Sequence, residues 1–359
     1  MKHIDEFRDK RLVDLLLKQI WETSKKPVRL MEVCGGHTVA IRKFGIPALL
    51  PPTIKLLSGP GCPVCVTGKS FIDKAVKLAN ESDTIVTTYG DLVRVPGSNS
   101  TMEKERANGA DVRMVYSALD ALDIAKTNPS KKVVFLGIGF ETTSPASAAT
   151  IIQAKKENTE NFYLLNAHKI MQPAMEALVD EEVQIDGYIC PGHVSTITGS
   201  GIYTRIVEKI GLGCVITGFE PVDLLQGILM LVKQFESGKS KVEIQYKRAV
   251  KPEGNTKALK LLDKVFELRD DWWRGLGVVY GSGFKLKREF EKFDAEANFD
   301  LELPEAQEEK GCICGPILKG VKRPTDCKLF GKSCIPDNPV GACMVSSEGS
   351  CQAYYRYTI

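Results

Sequence analysis

Apolar positions recur along this chain at two spacings. Across residues 6–24 they fall at Leu12, Leu15, Leu16 and Ile20, the interval of one helix face. Beyond that helix, short apolar runs alternate with helical stretches. Residues 28–34, 53–58, 82–88, 111–115, 132–137, 161–165, 187–190 and 213–217 read as buried strands, each ending in a polar or glycine-rich cluster. Strands that alternate with helices predict parallel sheets covered by helices, so the expected fold is α/β. Two such domains are expected, at residues 1–130 and 131–239, facing a central cleft. From residue 240 the character changes. Residues 241–246 alternate like an exposed strand, 255–270 have a helical period, 275–286 are apolar but broken by glycine, and 294–310 form an acidic surface loop. Trp272 and Trp273 are expected to anchor the core of this third unit, residues 240–359.

Ligands of open parallel sheets sit outside the carboxyl ends of the strands, so the strand-end clusters carry the candidate chemistry. The first is Cys34-Gly-Gly-His37-Thr38, with a helix expected from Val39. A thiol beside the free N–H groups of a helix start should have a lowered pKa, which favours a working cysteine over a packing one. The second is Gly59-Pro-Gly-Cys62-Pro-Val-Cys65, before a helix at residues 69–79. A C-x-x-C at a helix start suits a redox dithiol. The competing reading, half a zinc knuckle, has no second C-x-x-C to complete it. Further clusters hold Asp91, Glu141, His168, His193 and Glu220. Two domains meeting edge to edge would turn Cys34, His37, Cys62, Cys65, Asp91, Glu141, His168, His193 and Glu220 toward one cleft. For His168 and His193 a structural role stands beside the functional one, and Cys190 and Cys214, inside apolar strands, read as core. Gly137-x-Gly139-x-x-Thr142 approximates a dinucleotide fingerprint without its third glycine, a weak signal by itself.

Composition narrows the function. A net charge of +3 with 26% charged residues, and no dense basic run with interleaved aromatics, argues against nucleic acid and anionic membranes as partners. No apolar stretch is long enough to span a bilayer, and the first residues lack a signal peptide's apolar core, so a cytoplasmic protein is expected. In a reducing compartment its eleven cysteines read as metal ligands or working thiols. Six of them, Cys312, Cys314, Cys327, Cys334, Cys343 and Cys351, crowd the tail, where even scattering would leave about one. After the Cys-x-Cys start the gaps are twelve, six, eight and seven residues, unlike the paired knuckles of zinc. An iron–sulfur cluster is favoured over structural zinc and over plain disulfides. Six thiols exceed the four that one cluster needs, so two are left for a dithiol beside it.

Taken together, Glu32-Val-Cys-Gly-Gly-His-Thr38, Gly59-Pro-Gly-Cys-Pro-Val-Cys65, Gly139-Phe-Glu-Thr-Thr143, Pro191-Gly-His-Val-Ser195 and the stretch from Gly341 to Cys351 resemble the HypD family of hydrogenase maturation proteins over essentially the full length. The resemblance implies a scaffold on which an iron with two cyanides and one carbonyl is built for nickel–iron hydrogenases. It implies a HypC-like small chaperone that shares the iron and a HypE-like cyanide donor. Carried onto this chain, it makes Cys34 the iron ligand with His37 near it, and Cys62 with Cys65 the adjoining thiol pair. Glu141, Glu220 and the histidines, His193 among them, would orient or protonate incoming groups. In the tail, the likeness of the family to ferredoxin-thioredoxin reductase implies a 4Fe-4S cluster on Cys312, Cys327, Cys334 and Cys351, with Cys314 and Cys343 as the dithiol. Two other readings remain at this point: an iron–sulfur protein-disulfide reductase of that type, and a zinc-bound interaction module.

Overall fold

The computed structural model describes residues 5–179, 183–304 and 306–358. Eleven strands fall among these residues, in two parallel sheets and one hairpin. The first sheet contains β1 (Val28–Glu32), β2 (Ile54–Ser58), β7 (Gly187–Cys190), β8 (Gly213–Ile216) and β9 (Val242–Ile244), in the order β2-β1-β7-β8-β9. The second contains β3 (Thr84–Thr88), β4 (Asp111–Met114), β5 (Lys132–Gly139) and β6 (Phe162–His168), in the order β4-β3-β5-β6. Each pairing in both sheets is parallel. The α/β expectation therefore holds.

The strands do not divide at residue 130 as expected. The chain leaves the first sheet after β2, builds the whole second sheet, and returns to lay β7 against the free side of β1. Apolar spacing marks strands but not their partners, because hydrogen bonds between strands are made by backbone groups common to all residues. Nor does the boundary near 240 fall between strands of separate sheets, since β9 extends the first sheet from β8.

The first helix runs Lys10–Thr23, started by the Asp9 carboxylate, which accepts from the Arg11 N–H at 2.8 Å. It buries Leu16 and Ile20 and leaves Leu12 and Leu15 exposed. A second departure lies between residues 255 and 286. The helix expected to reach 270 stops at Val265, and Phe266–Trp273 (β10) pairs antiparallel with Gly277–Leu286 (β11), with a bulge between Arg269 and Asp271. Strand formation is decided here by partners: Phe266 and Phe284 bury their rings against each other, while Leu268 faces out. Only one tryptophan is an anchor. Trp273 is buried and its Nε1–H donates to the Ser282 hydroxyl at 2.8 Å, whereas Trp272 stays partly exposed. The acidic run from 294 contains a short helix, Ala295–Asn298, whose Ala295 is buried.

One continuous core connects the C-x-x-C segment to the tail. Cys62, Cys65, Val66, Leu136 and Tyr188 belong to the same buried cluster as Ile317, Cys334, Cys343 and Met344. Burial of that apolar surface, at roughly 25 cal/mol per Å2, draws the cysteine-rich tail against the sheets.

Candidate metal and thiol site

Cys34 stands where β1 gives way to a helix. The helix begins at Gly35, earlier than expected, and Cys34 is its extended N-cap. Two backbone bonds tie this corner to the next strand's end: the Gly59 N–H donates to the Glu32 carbonyl at 2.8 Å and the Gly35 N–H to the Gly61 carbonyl at 2.9 Å. Glycine is required at 61, since a Cβ there would lie 2.2 Å from the Cys34 nitrogen. The chain thereby sets Cys62 beside Cys34. Cys62 caps the short helix Pro63–Val66 and forms a disulfide with Cys65, Cα atoms 5.2 Å apart, both residues buried.

The expected lowered pKa of Cys34 is not what its surroundings produce. Burial, then the Glu348 carboxylate, push the thiol up to about 12, and the helix N–H groups offset only part of this. Behind it lies a second buried acid. Glu32 accepts from the Thr38 hydroxyl at 2.6 Å and the Cys34 N–H at 3.2 Å, and burial raises it to about 8. A cation arriving at Cys34 would meet a neutral thiol flanked by carboxyl groups and would itself drive off the proton.

Cys34, Asp91, Thr142, His193, Ser346 and Glu348 all line one pocket of about 710 Å3, together with Gly61, Pro63 and Val64 of the C-x-x-C turn. Asp91 accepts from the Ser346 hydroxyl at 3.0 Å. His193 stacks on Phe219 with centroids 4.1 Å apart, and His37 lies against the same ring at 4.6 Å.

Six of the nine residues expected at the cleft are absent from this lining: Cys62 and Cys65 lie buried beside its Gly61, Pro63 and Val64 wall, and four lie elsewhere. His37 is fully buried, with Nε2 held by the Gly218 carbonyl at 3.1 Å and the Thr217 hydroxyl at 3.0 Å, and burial lowers its pKa to about 4. Glu141 turns inward, where Oε1 accepts from the Met171 N–H at 3.1 Å and Oε2 has no partner among the described residues. Burial raises this carboxyl to about 7. His168 is also buried, with Nδ1 2.6 Å from Asn166 Oδ1, a structural histidine. Glu220 caps the helix Pro221–Ser237 and pairs with Arg8. Burial within a strand-end cluster depends on what packs above it, which spacing does not encode. Cys190 and Cys214 are core, as expected. The pocket residues missed from sequence are Glu348 and Ser346. Their signal was a lone carboxylate among three serines in the run between Cys343 and Cys351.

The tail gathers its thiols around a second, apolar pocket. Cys312, Cys314, Cys327, Cys334 and Cys351 line it, with Ile313, Ile317, Leu329, Phe330 and Met344 among the wall residues, and no carboxylate or imidazole. Cys312 and Cys314 stand with sulfurs 3.2 Å apart, and the free Cys343 thiol is hydrogen-bonded with Cys314 and Cys351. Those bonds favour the Cys343 thiolate over its burial, and the Arg274 charge adds to them. The free volume is about 10 Å3, and among the described residues no three His, Cys, Asp or Glu side chains are grouped so as to hold a metal ion. The thiols contact one another instead. As a donor set, soft sulfur in an apolar wall fits a cluster of iron and sulfide.

Known proteins resemble this chain over almost its whole length. The family model HypD, described as "Hydrogenase formation hypA family", matches residues 11–358. The chain is 47% identical to the hydrogenase maturation factor HypD of Azotobacter vinelandii, with 99% of this chain and 97% of that protein aligned. It is 46% identical to the Cupriavidus necator factor, again over 99% and 97%. The Escherichia coli factor is 43% identical over 99% of this chain and 98% of its own length. With the match running through both sheets and the cysteine tail, this chain belongs to the HypD family of hydrogenase maturation factors.

Proposed function

We propose that this maturation factor is the scaffold on which an iron bearing two cyanides and one carbonyl is assembled, with Cys34 as its protein ligand. The observation that carries the reading is the backbone tie that puts Cys34 on a pocket wall next to the Cys62–Cys65 disulfide. Iron is the cargo here. Its charge displaces the Cys34 proton, Glu348 and Asp91 are placed to take up or return protons, and His193 borders the space that the added ligands need. A HypC-like chaperone would present its share of the iron at this pocket, and a HypE-like donor would supply cyanide. A cytoplasmic setting goes with this reading, because thiols are kept reduced there.

Cys62 and Cys65 act in this scheme as a two-electron couple: their S–S bond breaks as two electrons and two protons arrive, and reforms as they leave. When held by Cys312, Cys327, Cys334 and Cys351, a 4Fe-4S cluster would supply electrons one at a time. Cys314 and Cys343 are the dithiol beside that set, and the shared core with Cys65 supports a relay between the two thiol groups. The rival reading, a protein-disulfide reductase, would need the Cys62–Cys65 pair open to a large substrate. Cys62 is 3% exposed and Cys65 0%, which weighs against it.

The test is infrared spectroscopy of the complex purified anaerobically with its small chaperone. The wild type is expected to show metal-bound cyanide and carbonyl stretches, and Cys34→Ala to lose them together with the pocket iron. Retention of both bands in Cys34→Ala would refute the ligand assignment.

A further inference from the structure

The turn between β10 and β11 is inserted between the two groups of thiols. Arg274, only 4% exposed, takes three carbonyls that close the Cys62–Cys65 turn. Its backbone N–H donates to Val66 at 2.8 Å, its Nε to Cys65 at 2.9 Å and its Nη2 to Thr67 at 2.9 Å. Nη1 pairs with Glu308, on the segment that leads into Cys312. The next residue, Gly275, sits at φ +87°, and a Cβ there would be 2.7 Å from the carbonyl oxygen of Gly315, the neighbour of Cys314. On the other side Trp272 lies over Gly68, where a Cβ would come within 2.8 Å of the ring. A second buried cation, Lys69, pairs with Glu309 at 3.2 Å.

Carbonyl groups could be satisfied by neutral donors. A buried guanidinium is a costly way to do it, and its one acidic partner, Glu308, is 42% exposed and so only partly cancels its field. We infer that Arg274 is a positioning residue that joins the two thiol centres: it locks the Cys62–Cys65 turn, and its charge favours the reduced, thiolate-bearing form of that pair. The inference rests on the reading of Cys62–Cys65 as a redox couple.

The experiment equilibrates the full-length protein anaerobically with mixtures of reduced and oxidised dithiothreitol, and reads the Cys62–Cys65 peptide by alkylation and mass. One S–S bond forms in the reagent for each one broken in the protein. Arg274→Gln is expected to shift the equilibrium about tenfold toward the disulfide, about 30 mV for a two-electron couple. Arg274→Lys, which keeps the charge, should shift it less than about threefold. Glu308→Gln, at the surface and clear of the turn, frees the guanidinium's field and should shift it about threefold the other way, toward the dithiol. This variant decides the matter if Arg274→Gln does not fold. Equilibria for Glu308→Gln and any folded Arg274→Gln within about twofold of wild type would overturn the inference while leaving the redox reading intact. A wild-type pair that does not titrate as a two-electron couple sinks both.

Discussion

Glu141 offers a quantitative test of how the second sheet is packed. Its carboxyl is 4% exposed at the end of β5, with one oxygen bonded to the Met171 N–H and the other unpartnered among the described residues. Burial raises its pKa from 4.5 to about 7. Between those values the unfolded chain releases the proton and the folded chain keeps it, so the contribution of Glu141 to stability is full below pH 4.5 and is lost as pH rises through 7. At about 1.4 kcal/mol for each tenfold change in proton affinity, the loss by alkaline pH is about 3 kcal/mol. Glu141→Gln keeps the acceptor for Met171 and removes the ionisation. It should match the wild type to within about 0.5 kcal/mol near pH 4.5 and exceed it by about 3 kcal/mol above pH 8. Urea unfolding of both proteins across that range, followed through tryptophan fluorescence, measures the difference directly. A gap that stays constant with pH, or a variant that becomes the weaker partner as pH rises, would refute the buried, proton-retaining carboxyl.

Three other outcomes follow from the same coordinates. Gly61→Ala forces a Cβ into the Cys34 backbone, 2.2 Å from its nitrogen, so it should cost about 1–3 kcal/mol and part the two corners, read as faster alkylation of Cys34. Lys169, 2% exposed, donates to Asp271 Oδ2 and the Trp272 carbonyl, both at 2.8 Å; Lys169→Met should therefore cost about 3–5 kcal/mol in urea unfolding, because Asp271 loses its partner. Burial lowers the His168 pKa from 6.5 to about 3, so the unfolded state binds the extra proton and the contribution of His168 to stability falls as pH drops through that window. His168→Gln should flatten this acid-side slope, and an unchanged slope would show that His168 is not held neutral.

Spacing alone identified the strands that form the two sheets, because the apolar period of a strand is a property of a few consecutive residues. The candidate residues were legible for the same local reason: Cys34, Cys62, Cys65 and the tail thiols are marked by residue type and by glycine or proline neighbours. Tertiary structure alone decided that β1 lies between β2 and β7, that Phe266–Trp273 is a strand, and that His37 and Glu141 point into the interior while Glu348 reaches the pocket. These facts depend on pairs far apart in the chain, such as Gly35 with Gly61 or Arg274 with Cys65. Backbone hydrogen bonds carry no residue code, and burial is set by whatever packs from the other side.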